Sequence, residues 1–312
     1  MIRYKAPNGF APVEFNDMVP LLTARPYVLF IDRDGTLVPI SSVPAEALLP
    51  QATANLVAAL AAAPLSPSSE GGPASGNSAS HSQGYAVIVS ARGLAGLKEE
   101  FDASKLILAG NYGLEISFPS GRQIIHPDAA AALPELAAVS TILKQEIAAN
   151  PLLLLDDHNY SLCLHYHRLP GELHDGLHAN MEVLANKFAR LKFRKLPTSI
   201  EVVPPVVWDK GYALDLIASE IKGEIQAKVN AGLNAAINPL YMAFGDSHAD
   251  EPMFAWVNKH QGLSFNVGSR QSEEAIALLD DPADLYDFLL QFKDLVAPLS
   301  AQTNSRDAQY HN

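Results

Sequence analysis

Asp32-Arg33-Asp34-Gly35-Thr36 sets two carboxylates one residue apart, directly after the apolar run Tyr27-Val28-Leu29-Phe30-Ile31. Two carboxylates at the carboxyl end of a strand can share a cation, and Gly35 lets the backbone turn sharply. A carboxylate there can attack phosphorus and form an aspartyl-phosphate, while its neighbour protonates the leaving oxygen and then activates water. Asp and Gly also serve simply as turn residues at the end of a strand. A calcium loop is excluded, because Gly35 stands fourth rather than sixth from Asp32 and no Glu follows at the twelfth position.

Gly245-Asp246-Ser247-His248-Ala249-Asp250-Glu251 ends a second buried run. Asp246 and Asp250 complete a magnesium site with Asp32 if the two strands are neighbours, since Mg²⁺ prefers hard oxygen ligands; Ser247 or Asp250 can also cap a helix. Ser90-Ala91-Arg92 offers a hydroxyl and backbone N–H groups at a strand-to-helix junction, which is a phosphate cradle or an ordinary cap. Lys210, opening a helix after Asp209, can put one positive charge on a phosphate or on Asp32, although a lysine at a helix start is commonly a solvated one. Strict alternation from Tyr160 to His167 places Ser161, Cys163, His165 and His167 on one strand face, with Leu162, Leu164 and Tyr166 on the other. That polar face can line a ligand cleft; zinc binding by His165 and His167 is the other reading, although no third ligand stands at a recognisable spacing.

These groups need a scaffold that brings strand ends together. Three short apolar runs, Tyr27 to Ile31, Tyr85 to Val89 and Pro239 to Gly245, lack polar alternation and read as strands buried on both faces of a parallel sheet. A further strand spans Lys105 to Ala109, and helical periodicity covers Ala45 to Ala63, Gly211 to Ile221 and, less clearly, Gly223 to Ala236. Between them the texture changes. A helix from Ala129 to Ala149, strands at Leu152 to Asp156, Tyr160 to His167 and Ser199 to Val203, and a helix from Gly171 to Leu191 predict an antiparallel sheet packed on helices. The expected fold is α/β: a doubly wound, Rossmann-like parallel sheet over residues 22–116 and 204–298, with an inserted α+β cap at 117–203. Residues 65–83 hold seven Ser, three Gly and two Pro and are expected to form a mobile loop away from the ligand end of the sheet, and residues 300–312 a frayed tail.

The chain has 312 residues, 48% of them apolar, enough for one large or two ordinary cores. Its net charge of −12 leaves no general basic face for nucleic acid or an anionic membrane. The single cysteine, Cys163, excludes an internal disulfide, and no apolar stretch reaches membrane-spanning length. The expectation is a cytoplasmic protein.

In chain order, Asp32-x-Asp34-Gly35-Thr36, Ser90, Lys210 and Gly245-Asp246-x-x-x-Asp250 resemble the four motifs of the aspartate-nucleophile phosphatases of the haloacid dehalogenase (HAD) superfamily. More specifically, Gly110-Asn111-Tyr112-Gly113-Leu114-Glu115, Leu164-His165-Tyr166, Ile200-Glu201, Asp209-Lys210-Gly211 and Gly245 through Phe254 resemble the trehalose-6-phosphate phosphatases, over about Pro26 to Gly268. The resemblance implies Asp32 as nucleophile and Asp34 as general acid/base that also lends its backbone carbonyl to Mg²⁺. It implies Asp246 as the remaining protein ligand, Asp250 as support, and Ser90 and Lys210 as holders of the phosphoryl group. It puts Arg92, Asn111, Glu115, His158, His165, His167 and Glu201 on the substrate side, and implies a sugar phosphate as ligand and association with a cognate synthase.

Departures from the family pattern cluster away from the chemistry. Ser-Gly-Arg appears as Ser90-Ala91-Arg92, His-Gly as Tyr112-Gly113, and the second Asp after Gly-Asp as Ser247. In the cap a Glu-x-Lys pair appears as Asp156-Asp157-His158, His-Tyr-Arg ends in His167, and Val203 replaces a basic residue. Basic groups expected to face the sugar are thereby weakened or made pH-dependent. The expected activity is Mg²⁺-dependent hydrolysis of trehalose 6-phosphate. The alternatives are another glycosyl phosphate, such as sucrose or glucosylglycerol phosphate, and a non-catalytic sugar-phosphate-binding partner of a synthase.

Overall fold

The computed structural model describes residues 1–6, 9–22, 26–41, 46–61, 84–230 and 239–296. The loop expected at 65–83 and the tail expected at 300–312 therefore lie outside the described residues. In chain order the elements are β1 (Arg3–Ala6), β2 (Gly9–Pro12), α1 (Phe15–Leu22), β3 (Tyr27–Ile31), α2 (Gln51–Leu60), β4 (Gly84–Val89), α3 (Leu94–Glu100) and β5 (Ile107–Gly110). There follow β6 (Glu115–Ser117), β7 (Gln123–Ile125), α4 (Pro127–Ala149), β8 (Leu154–Asp157), β9 (Leu162–His165), α5 (His174–Lys187), β10 (Lys192–Lys195) and β11 (Ser199–Val203). The chain closes with α6 (Lys210–Asn230), β12 (Leu240–Gly245), α7 (Glu251–Lys259), β13 (Leu263–Val267), β14 (Ala277–Leu279) and α8 (Pro282–Val296).

These elements form two compact units, residues 1–88 with 105–107 and 210–312, and residues 89–104 with 108–209. In the first, the strand order is β2-β1-β14-β13-β12-β3-β4. The five strands from β14 to β4 are parallel, and the β1–β2 hairpin closes the edge antiparallel. This is the expected α/β class. Residues 27–31 are buried throughout, as their unbroken apolar run requires of a strand covered on both faces. Phe244, Phe265 and Phe288 pack together where β12 and β13 meet α8, with ring centroids 4.8 to 5.7 Å apart.

In the second unit, β5, β6 and β7 pair antiparallel, and a separate sheet runs β10-β11-β9-β8, also antiparallel. Leu162, Leu164 and Tyr166 turn one face of β9 into a core with Leu136, Val139 and Leu143 of α4 and Met181 and Leu184 of α5. Cys163 and His165 lie half-buried on the opposite face, the period-two division read from the sequence.

Strand and helix ends elsewhere shift by about two residues, and three helical readings differ by more. The helix read over 45–63 begins only at Gln51, because Leu49 precedes Pro50 and is held out of the helical region. The two helices read across 211–236 are one over its described length, α6, which runs through Gly223; burial of Ile217, Ile221 and Ile225 outweighs the roughly 1 kcal/mol that glycine costs there. The helix read over 171–191 is a 3₁₀ turn at Gly171–Leu173 followed by α5. No helix among the described residues is long and apolar enough to cross a membrane.

Candidate active site

In the first unit β3 and β12 are adjacent parallel strands, in register from Tyr27 opposite Leu240 to Ile31 opposite Phe244. Their carboxyl ends therefore deliver Asp32 and Asp246 to one place, 214 positions apart in the chain. The Asp32 N–H donates to the Phe244 carbonyl at 2.9 Å, which ties the two loops at their roots. One oxygen each of Asp32, Asp246 and Asp250 lie within 4.8 Å of one another.

Two glycines make this convergence possible. Gly35 has φ +88°, and a Cβ there would stand 2.2 Å from Asp246 Oδ2. At Gly245 a Cβ would meet the Asp250 carboxyl carbon at 2.4 Å. The backbone of each loop thus approaches a carboxylate of the other strand or the following turn as closely as only glycine permits.

Lys210 is buried at the start of α6, and its ammonium donates to Asp32 Oδ1 and to Asp250 Oδ1, each at 2.6 Å. The lysine is thus part of the cluster rather than a solvated helix start. Asp250 Oδ2 accepts from the Asp246 N–H at 3.1 Å, the Ser247 N–H at 2.9 Å and the Ser247 hydroxyl at 2.8 Å. Asp250 thus takes four donors, three on Oδ2 and Lys210 on Oδ1. Its task is to hold Lys210 and to fold the 246–250 turn into a capping box with Ser247. The Thr36 hydroxyl lies 3.3 Å from Asp32 Oδ2 and 3.4 Å from Asp246 Oδ1, so one proton serves two carboxylates.

Charge in this cluster is unbalanced, with three carboxylates to one ammonium. Burial, reinforced by the neighbouring Asp250 and Asp246 charges, pushes the Asp32 carboxyl up to about 8 against the pull of Lys210. Burial and Asp250 push Asp246 up to about 6. Lys210 is held well above the usual lysine range, because Asp250 and Asp32 outweigh the burial that opposes its charge. A divalent cation with a preference for hard oxygen ligands fits this donor set: it would supply the missing positive charge, and Asp32 and Asp246 are the carboxylates with oxygens free to hold it. Magnesium is the ion of that description that retains water alongside few protein ligands.

Asp34 sits on the Thr36 side of the same loop, its carboxylate 2.5 Å from the guanidinium of Arg33. Arg33 itself is fully buried and also donates to the Ala47 carbonyl at 2.6 Å, while its own carbonyl accepts the Leu37 N–H at 2.9 Å. Residue type and spacing assign no role to Arg33 or Thr36, because the burial of both depends on partners that only the folded turn supplies.

The remaining candidates belong to the second unit. Ser90 is buried, and its hydroxyl accepts the Arg92 N–H at 3.1 Å. Asn111 and Glu115 are buried and bonded to each other at 2.7 Å; Glu115 also accepts the Leu94 N–H at 2.7 Å, and Asn111 donates to the His158 carbonyl at 3.0 Å. These bonds brace a backbone with three successive positive φ values, Asn111, Tyr112 and Gly113. The Tyr112 hydroxyl donates to Glu201 at 2.6 Å, and the Tyr112 carbonyl accepts from the Trp208 indole at 3.0 Å.

On the polar face of the four-stranded sheet, Arg194, Glu201, Cys163 and Asp156 stand opposite one another, one per strand. His165 pairs with Asp156 at 3.0 Å. That bond, with Cys163 adding, pushes the imidazole up to about 10, and against its own burial Asp156 is held below the usual carboxylate range. Burial pulls His158 below the usual histidine value. His167 lies beyond the end of β9, with its Nε2 buried and without a hydrogen-bond partner among the described residues.

A family model described as trehalose-phosphatase matches residues 77–281, about two thirds of the sequence. The chain belongs to the trehalose-phosphatase family. Among relatives of this family, the probable trehalose-phosphate phosphatase 4 of Oryza sativa subsp. japonica is 24% identical over 89% of this chain and 69% of its own length. An uncharacterized glycosyl hydrolase of Mycobacterium tuberculosis is 28% identical over 89% of this chain, which spans only 19% of that protein. Among solved structures, a trehalose-6-phosphate phosphatase related protein superposes with a TM-score of 0.64 at 18% identity, over 86% of this chain and 98% of its own. That likeness shows the fold, which is the α/β fold of HAD hydrolases.

Proposed function

We propose that the protein is a Mg²⁺-dependent phosphatase that hydrolyses trehalose 6-phosphate to trehalose and phosphate. The observation that carries this reading is the buried cluster in which Lys210 bridges Asp32 and Asp250 beside Asp246. Family membership supports the sugar phosphate as substrate.

In this reading an Asp32 oxygen attacks phosphorus, the bond from phosphorus to the sugar oxygen breaks, and the Asp34 carboxyl gives its proton to the departing alkoxide. Water then attacks the aspartyl-phosphate while Asp34 takes its proton, releasing phosphate and restoring Asp32. Lys210 favours the ionised form of Asp32 against its burial, as a bound cation would further, and, with Ser90, holds the phosphoryl oxygens. When bound, the cation neutralises charge on the transferring group; Asp32, Asp246 and the Asp34 carbonyl would hold it. Arg33 fixes the direction of Asp34. Residues 22–116 and 204–298 act as the catalytic core and residues 117–203 as the cap, with Arg92, Asn111, Glu115, His158, His165, His167 and Glu201 on the side of the sugar. The reading extends to a cytoplasmic enzyme working beside a cognate synthase. A fold likeness to the C-terminal domain of a Candida albicans trehalose synthase regulatory protein, TM-score 0.60 at 11% identity, is in keeping with such a partner.

A second reading changes only the sugar. His158, His167 and Val203 stand where the family pattern has basic residues expected to face the sugar, which supports a glycosyl phosphate other than the trehalose ester. Phosphate release with Mg²⁺ is to be measured on trehalose 6-phosphate, sucrose 6-phosphate, glucose 6-phosphate and glucosylglycerol phosphate, with Asp32→Asn as blank. We expect preference for trehalose 6-phosphate and no turnover by the variant. Preference for another ester would install the second reading, and release independent of Asp32 would refute the mechanism.

A further inference from the structure

Arg270 follows β13 and is neither one of the carboxylates nor a neighbour of them in sequence, yet its guanidinium reaches the loop that carries Asp246. Nε donates to the Asp246 carbonyl at 2.9 Å and Nη2 to the Ser247 carbonyl at 3.1 Å. Nη2 also reaches Asn266 Oδ1 at 3.2 Å and pairs with Glu251 at 2.6 Å, and Nη1 donates to the Gln271 carbonyl at 3.0 Å. Asn266 is fully buried and returns a bond to the Arg270 carbonyl at 2.9 Å. Glu251 also accepts from Ser272 at 2.9 Å and from the Glu274 N–H at 3.0 Å.

The loop at 246–247 is therefore held from two sides. Its N–H groups point to Asp250, and its carbonyls point to Arg270. With both rows of backbone groups fixed, the Cα–Cβ direction of Asp246 is set, and its carboxylate reaches toward Asp32 and Thr36 from a fixed base. A planar fork with five donors suits this task, since it spans two successive carbonyls and a carboxylate at once.

We propose that Arg270 is a positioning residue for the metal ligand Asp246, setting the affinity of the site for its divalent cation while touching neither the cation nor the substrate. The proposal rests on the reading of Asp246 as a ligand. Outer partners that orient a ligand typically change metal affinity 10- to 100-fold when removed.

The test is titration of the full chain, without substrate, with Mg²⁺ by calorimetry and with Mn²⁺ by electron paramagnetic resonance. Wild type is compared with Arg270→Met, Arg270→Lys, Glu251→Gln and Asp246→Asn. We expect Asp246→Asn to lose binding and Arg270→Met to weaken it about 10-fold or more. Arg270→Lys should fall between, because one ammonium cannot span both carbonyls, and Glu251→Gln should weaken binding less than Arg270→Met. At saturating Mg²⁺ the kcat of the Arg270 variants should return to within about twofold of wild type, a recovery that general structural damage does not show. Should Arg270→Met fail to fold, Arg270→Lys and Glu251→Gln carry the comparison. Wild-type affinity in the folded Arg270 and Glu251 variants, with binding lost in Asp246→Asn, would overturn the proposal alone. Wild-type affinity in Asp246→Asn would overturn the ligand reading beneath it, and the proposal with it.

Discussion

The acid cluster of the first unit and the polar sheet face of the second hold similar residue types in opposite circumstances. Asp32, Asp250 and Lys210 are almost wholly shielded from solvent, and the cluster carries more negative charge than its lysine can balance. On the sheet face, Asp156 meets His165 and Glu201 meets Tyr112, each pair closed and half-buried. An unbalanced buried cluster has an energetic need for a cation and for every donor that serves it. A row of closed pairs on a partly solvated sheet has no such need, so its members can be exchanged with modest cost. That asymmetry agrees with the departures from the family pattern read in the sequence, which fall at Ala91, Tyr112, Ser247 and along residues 156–203 but spare Asp32, Asp34, Ser90, Lys210, Asp246 and Asp250 themselves.

The comparison breaks most sharply at Lys210. Lys210→Met leaves Asp32 and Asp250 buried without their counter-charge, which typically costs about 3–5 kcal/mol of stability. In the proposed mechanism, loss of the charge that holds Asp32 and the phosphoryl oxygens should lower kcat on the order of 10³-fold. Urea denaturation and steady-state kinetics measure the two effects. The stability loss should shrink as pH falls below about 8, because a protonated Asp32 no longer calls for the ammonium. A variant as stable and active as wild type would remove the argument that the cluster is one electrostatic unit.

Gly35→Ala comes next. The added methyl faces both a positive φ and the Asp246 carboxylate, so Asp246 must move. A displacement of about 1 Å in a catalytic group costs about 10²-fold in rate. We expect a kcat loss of that order, with Mg²⁺ affinity reduced in parallel, seen by varying Mg²⁺ at fixed substrate. Unchanged kinetics would mean that the close approach at Gly35 has no bearing on Asp246.

Much of the first region was readable in the residues. The unbroken apolar runs at 27–31 and 239–245 announced strands covered on both faces, and the requirement that they be neighbours is met by their pairing. What the residues did not disclose was how the carboxylates are restrained. Arg33 and Lys210 are basic groups whose burial depends on partners supplied by the fold, and Arg270 acts through backbone carbonyls, which leave no mark on residue type. The short strands of the second region were harder still. β10 reads Lys-Phe-Arg-Lys, too charged to announce itself, and it exists because β11 offers it an edge. β1 and β2 are likewise a short edge hairpin, with β2 exposed along its length. Period-two alternation did mark β9, because one of its faces has a core to enter.

The smallest expected effect is a pH slope. His165 in the native protein is held near 10 by Asp156, whereas an unfolded histidine titrates near 6.5. Between those values the native state keeps a proton that the unfolded state has released, so the stabilisation is complete below about 6.5 and is lost as pH rises toward 10. Asp156 contributes in the opposite sense, losing its share as pH falls through its lowered native value. Both side chains are partly solvated, so screening brings the effect down to about 1 kcal/mol, or roughly 2–4 °C in Tm. His165→Gln should therefore flatten the decline of Tm between pH 7 and 10 and leave the behaviour of the acid cluster untouched. Equal slopes in the two proteins would mean that the sheet-face pair contributes nothing to stability. A changed kcat at saturating substrate would mean that the two regions are not separable as argued, because a residue of the sheet face would then be acting on the chemical step.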